Sequence, residues 1–221
     1  LPHEIYNRSF VYAPAAGLPE IIHEDDALIV INKPSGLLSV PGKTEPDCAE
    51  ARVRRYCPAT LLVHRLDLPT SGIMIFAKTA PVQRHLGLQF EKRMTRKTYV
   101  ARVWGEVMPD SGTINLPLTA DWPNRPRQMV NHERGKPSVT DWEVLSRKNG
   151  ITRLALFPQS GRSHQLRVHC LELGHPILGD RIYAHKDAFE SAKRLQLHAH
   201  SLSIRHPIGG EWIEFEAPCP F

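Results

Sequence analysis

The 221-residue sequence is poor in cysteine, with only Cys48, Cys57, Cys170 and Cys219, and no two of them form a CxxC pair. A chain of this size buries about 70% of the surface its unfolded form exposes, so it needs no disulfide staples, and the four thiols read as reduced and cytoplasmic. No apolar run approaches the roughly 18 residues of a membrane span, so no membrane partner is expected. The opening Leu1 to Phe10 lacks the charged and apolar regions of a signal peptide. The chain contains 12 histidines, yet no HExxH and no Cys/His set with zinc spacing. GxGxxG and GxxxxGK[ST] are both missing, which removes the usual phosphate cradles, and the lack of GxSxG weakens a serine hydrolase. The expectation is a protein with neither metal nor cofactor. Excess charge is small, at +5. It permits an anionic partner such as nucleic acid without demanding one.

What is present is a series of short strands with few helices. Residues 1–17 carry Pro2, Pro14 and Gly17 without periodicity and read as an arm, mobile unless docked on the body. From there to residue 221 no repeat, low-complexity tract or linker interrupts the chain, so 18–221 reads as one domain. Ala27-Leu-Ile-Val-Ile31, Leu61 to Val63, Ile73 to Ala77, Thr98 to Val103, Val139 to Leu145 and Thr152 to Phe157 have strand character. Residues 201–205 and 211–216 suggest a hairpin around Gly209-Gly210. Helices are predicted over 47–56, 81–93 and 164–173, the last with Ser163 as N-cap and Gly174 at C′. The stretch from 108 to 138 is rich in Pro, Gly and Asn and reads as short strands and long loops. Strands that do not alternate regularly with helices predict an α+β fold on a mixed, largely antiparallel sheet with flanking helices and loops.

Two segments could carry chemistry. His64-Arg-Leu-Asp67-Leu-Pro-Thr70-Ser-Gly72 sits between two apolar strands, which puts a carboxylate in a loop at a strand end. The plain alternative is Asp67 as a turn former. Gly161-Arg162-Ser-His-Gln-Leu166-Arg167-Val-His169 places a long cation on an otherwise apolar helix, where it needs a partner if buried. Its plain alternative is an arginine on the solvated face.

Together these segments resemble the signatures of the RluA-type pseudouridine synthases. HRLD followed by TSG is joined by Lys33-Pro-Ser-Gly-Leu37, Lys97-Thr-Tyr99-Val-Ala101, the Gly161–His169 segment and Gly174-His-Pro-Ile-Leu-Gly-Asp180, in the family's order. The resemblance covers residues 19–219. It implies the pseudouridine synthase fold with a catalytic cleft, and isomerisation of uridine in structured RNA. The N1–C1′ bond is broken, the base turned, and the ring rejoined through C5. It assigns the essential role to Asp67, as a nucleophile on sugar or base or as a base toward the 2′ position. Arg167 resembles the arginine that pairs with that carboxylate and keeps it ionised at neutral pH. Tyr99 resembles the tyrosine that packs on the target base and relays the C5 proton.

A base inside folded RNA must be flipped out to react. Arg65 resembles the residue that fills the vacated space, and Leu166 would wall the base pocket. His64, Thr70 and Arg162 complete the expected substrate contacts. Lys33 would support the site or touch the RNA backbone, unless it is an ordinary surface lysine. Asp121-Trp122-Pro-Asn124-Arg125-Pro126 looks like a loop of the RluA branch itself, whose members modify an anticodon-loop uridine of tRNA and a hairpin-loop uridine of 23S rRNA. Trp122 and Arg125 suit stacking and phosphate contact there, against the alternative of a rigid structural loop. Only a short arm precedes the body, so the extra RNA-binding domain of many relatives is expected to be absent, and a monomer suffices for a hairpin substrate. With so small a net charge, binding should rest on a local basic face drawn from Arg84, Arg93, Arg96, Lys97, Arg125, Arg127 and Arg162. Two readings compete. One is a non-catalytic RNA-binding or RNA-folding protein on the same fold. The other is a nucleoside hydrolase, which needs a second carboxylate, with Asp180 the nearest candidate.

Overall fold

The computed structural model describes residues 11–221. Its strands are β1 (Glu20–Glu24), β2 (Leu28–Lys33), β3 (Leu61–Leu62), β4 (Ser71–Ala77), β5 (Arg96–Trp104), β6 (Ser111–Asn115), β7 (Leu118–Ala120), β8 (Gln128–Val130), β9 (Val139–Lys148), β10 (Ile151–Pro158), β11 (Leu197–Arg205) and β12 (Trp212–Glu216). The helices are α1 (Ala49–Tyr56), α2 (Ala80–Glu91), α3 (Gln165–Glu172) and α4 (Lys186–Glu190). The described chain divides into two compact units. A split unit joins Val11–Lys97 to His198–Phe221, and an inserted unit spans Thr98–Leu197.

In the split unit the sheet runs β1-β2-β4-β11, with β12 on β11 and β3 on β4. All pairings are antiparallel except β4 with β11, which is parallel at Ser71–His198 and Gly72–Ala199. Strands β2 and β4 are almost wholly buried, which is why they read as continuous apolar runs instead of alternating ones. Their core is Leu28, Val30, Ile73 and Ile75 with Val82 and Leu86 of α2 and Leu202, Ile204 and Phe215 of the closing hairpin. Thr79 caps α2 and Pro81 lies in its first turn, where a missing N–H costs nothing. The helix ends at Glu91, short of the predicted 93, and Arg93 lies beyond it with φ 57°.

Residues 1–10 of the expected arm lie outside the described residues. Residues 11–17 are docked on α1. Arg52 donates to the carbonyls of Ala15 (2.6 Å) and Gly17 (2.8 Å) while its other nitrogens grip Asp47. Tyr12 Oη donates to the Asp47 carbonyl and accepts the Leu38 N–H.

The inserted unit carries the antiparallel order β5-β10-β9-β6 and a separate ribbon, β7–β8. Ala101, Val103, Trp142, Leu154 and Leu156 pack against Leu166 and Cys170 of α3. Predicted and observed strands agree here, and the α+β class with a mixed, largely antiparallel sheet holds. Two corrections concern ends. The N-cap of α3 is His164, in left-handed conformation (φ 55°) and without a side-chain cap bond, and not Ser163. The Pro69–Gly72 loop is shorter than expected, since β4 already begins at Ser71. Gly174 does end α3 with φ 88°. Helix α4 and strand β1 were not foreseen; five residues are too few for either period to show.

Candidate active site

The predicted site residues are shared between the two units. Lys33, His64, Arg65, Asp67 and Thr70 belong to the split unit, and Tyr99, Trp122, Arg125, Arg162, Leu166 and Arg167 to the inserted one.

In the split unit the Asp67 loop is clamped almost residue by residue. Ser39 Oγ donates to the Leu66 carbonyl (2.6 Å) and accepts the Leu66 N–H (3.0 Å). The Leu68 carbonyl accepts both the Gly36 N–H (3.0 Å) and Lys33 Nζ (3.2 Å). Ser35 Oγ donates to the Pro69 carbonyl at 2.7 Å, and the Thr70 N–H closes a turn onto the Asp67 carbonyl at 3.0 Å. Lys33 is 0% exposed, and its ammonium also donates to the carbonyls of Pro34 and Leu37. This overturns the surface-lysine and RNA-backbone readings. A buried cation with three carbonyl acceptors supports the loop and does not reach a phosphate. Asp67 itself is half-buried, Arg65 is exposed and Thr70 is buried.

The TSG that follows is explained by the parallel pairing. Gly72 has φ 111°, and a β-carbon there would land on the Ala199 backbone, so only glycine allows β11 to approach. Beside it Ser71 Oγ donates to Nδ1 of buried His198 (2.8 Å), whose Nε2 donates to the Ala217 carbonyl (3.0 Å). His64 is a structural residue here. Its Nε2 accepts the Ile75 N–H at 3.2 Å and its ring stacks on Phe90 with centroids 4.7 Å apart. Burial, with Lys97 nearby, pushes its pKa down to about 3, so the ring is neutral. Burial and Arg93 in turn lower Lys97 to about 8.

In the inserted unit, Tyr99 is half-buried on β5 opposite Leu156 of β10. Arg167 is 2% exposed, which removes the solvated-face alternative. Nε and Nη2 form a fork onto the two oxygens of Asp180, each at 2.7 Å. Asp180 is 1% exposed and also accepts the N–H groups of Ile182 and Tyr183. A carboxylate held this fully is not placed to activate water, which counts against the hydrolase. Leu166 is 7% exposed and belongs to the core under the sheet, so it is a packing residue before it is a pocket wall. Gln165 and His169 fasten α3 to the sheet. Gln165 bonds Ser160, Val139 and Thr140; His169 bonds Thr140 and the Leu116 carbonyl, and burial lowers its pKa. Arg162 is exposed at the entrance to this helix.

The Asp121–Pro126 loop forms the tip of the β7–β8 ribbon. Trp122 is 65% exposed, and the Arg125 guanidinium lies 4.0 Å from its ring centroid. Asn124 braces the tip by donating to both oxygens of Asp121. Of the remaining basic candidates, Arg84, Arg93 and Arg96 are exposed, whereas Arg127 is half-buried against the fold. Among the described residues no group of three or more His, Cys, Asp or Glu side chains is arranged to hold a metal ion. Among the described residues no helix is long and apolar enough to cross a membrane.

Comparison with known proteins places the chain in a family. Residues 27–172 match the family described as RNA pseudouridylate synthase. The chain belongs to that family, and it is an enzyme that isomerises uridine to pseudouridine in RNA. It is 50% identical over 204 residues to the dual-specificity RNA pseudouridine synthase RluA of Escherichia coli strain K12, covering 91% of this chain and 93% of that one. It is 53% identical over 183 residues to the protein of the same name from Vibrio vulnificus, covering 80% and 73%. Among solved structures it resembles human RNA pseudouridylate synthase domain containing 1, with a TM-score of 0.79 and 27% identity over 95% of this chain and 87% of that one.

Proposed function

We propose that this enzyme has two RNA substrates, an anticodon-loop uridine of tRNA and a hairpin-loop uridine of 23S rRNA, with Asp67 as its essential carboxylate. The observation that carries the reading is the 50% identity to dual-specificity enzymes across 93% of their length. The clamped Asp67 loop supports the assignment of the carboxylate, since a reacting group must be held within a fraction of an ångström of its target. Tyr99 offers a stacking face to the base and a hydroxyl for the C5 proton. Arg167 supplies a fixed cation to the reaction, its guanidinium held on Asp180, and exposed Arg65 fills the gap left by the flipped base. Trp122 and Arg125 at the ribbon tip stack on unpaired bases and bond phosphate. The reaction exchanges a carbon–nitrogen bond for a carbon–carbon bond within one molecule and is redox-neutral, so its balance requires no cosubstrate. Residues 18–221 act as one catalytic domain, in a cytoplasmic monomer.

The test is to incubate an anticodon stem-loop and a 23S-type hairpin with wild type and with Asp67→Asn, in chelator and without added cofactor, and to map pseudouridine by chemical labelling and primer extension. Site-specific product on both RNAs from wild type alone is expected, the variant being slower by on the order of a thousandfold or more. Product from one RNA only would remove the dual specificity. Product from Asp67→Asn would remove Asp67 as the essential group.

A further inference from the structure

Tyr183 lies beyond the segments from which the reaction was read, yet it joins two of them. Its oxygen accepts the Gln128 backbone N–H at 2.8 Å, at the base of the ribbon that carries Trp122 and Arg125. Its proton then goes to Nδ1 of His164 at 2.7 Å, at the entrance to α3. Burial raises the phenol above its ordinary range, so it remains a donor. The ring centroid is 5.0 Å from the guanidinium carbon of Arg167 and 5.3 Å from that of Arg127. Arg127 also donates to the Ile182 carbonyl at 3.1 Å, and the Tyr183 N–H shares Asp180 Oδ1 with Arg167.

A core position would need only the ring, which packs with Leu118 and Val168. The hydroxyl does something separate. It fastens the ribbon to His164, a helix N-cap in left-handed conformation that has no side-chain cap of its own. We propose that Tyr183 is a positioning residue that couples the seating of the Trp122–Arg125 tip on RNA to the orientation of the Arg167 guanidinium. A shift of the ribbon moves Gln128, hence the phenol, hence the ring against which the Asp180-held guanidinium lies. The inference rests on the proposed roles of Arg167 and the tip in the reaction.

The experiment is single-turnover pseudouridine formation on the two hairpins with wild type, Tyr183→Phe, Arg127→Met and the double variant. The saturating rate and the half-saturating RNA concentration are read separately, alongside thermal melting. Tyr183→Phe keeps the ring and loses both hydroxyl bonds, and should lower the saturating rate about tenfold. Its half-saturating concentration should stay within about twofold of wild type, because the tip still meets RNA. Arg127→Met should show the same pattern, and the double variant should be no slower than the worse single one, as two effects through one ring require. If Tyr183→Phe does not fold, Arg127→Met decides alone. Wild-type saturating rates in the folded variants, or losses that simply add and track melting temperature, would overturn the coupling. Wild type inactive on both RNAs would instead overturn the substrate reading on which the coupling rests.

Discussion

The Asp67 loop and the Trp122 tip are both irregular backbone, and they are built in opposite ways. Around Asp67 the backbone of Leu66, Leu68 and Pro69 is tied to side chains of the preceding segment, and the deepest tie is a fully buried ammonium. At residues 121–127 the chain is braced mostly within itself, through Asp121 and Asn124, and presents a tryptophan with an arginine on its face to solvent. A reacting group must not move relative to its partners, and the role proposed for Asp67 suits a site where satisfied polar bonds over-determine the backbone. The RNA contact proposed for the tip suits a wet, aromatic surface, because stacking needs an uncovered face.

Three further variants or conditions break this comparison at different depths. Lys33→Met should have the largest effect on the fold. It removes the donor to three carbonyls from a fully buried site, and should lower unfolding free energy by about 2–4 kcal/mol, read from the denaturation midpoint. Activity should fall with it, since the Leu68 carbonyl is one of its partners. An unchanged midpoint would mean that the clamp contributes nothing. Trp122→Ala should do the reverse, leaving stability within about 0.5 kcal/mol while weakening RNA binding by about 1–3 kcal/mol in a titration. Loss of stability without loss of binding would make the tip a structural loop after all.

The smallest effect concerns pH. His64 and His169 both have folded pKa values below the unfolded one, so the fold selects their neutral forms. Their contribution is fully present above about pH 6.5 and declines as pH falls from there, toward about 3 for His64. Denaturant midpoints should therefore drop between pH 7.5 and 5, and His64→Gln, which keeps an acceptor for the Ile75 N–H, should flatten part of that slope. A slope identical to wild type would show that His64 does not titrate with folding.

Much of the fold was legible because its signals are local. The β2 and β4 runs, the α2 period, the Gly174 helix stop and the Gly209-Gly210 hairpin each lie within a few neighbouring residues. The misread ends were decided by distant partners. His164 and not Ser163 is the N-cap, and its ring bonds Tyr183, 19 residues on. Residues 11–17 are held by Arg52, whose burial cannot be inferred from its place on a short basic helix.

The same division runs through the site. Ordered motifs in the sequence pointed to the chemistry, singled out Asp67, Tyr99 and Arg167, and offered Trp122 and Arg125 for stacking and phosphate contact. Tertiary structure alone decided which motif residues are exposed and which hold the fold. Lys33 became a loop anchor, His64 a hydrogen-bond acceptor, Leu166 a core residue and Asp180 the fork for Arg167. The physical reason is that a polar side chain takes its role from its burial and its partner. Those partners lie 35 residues away for Lys33 at Leu68 and 55 for Tyr183 at Gln128, beyond the reach of any local pattern.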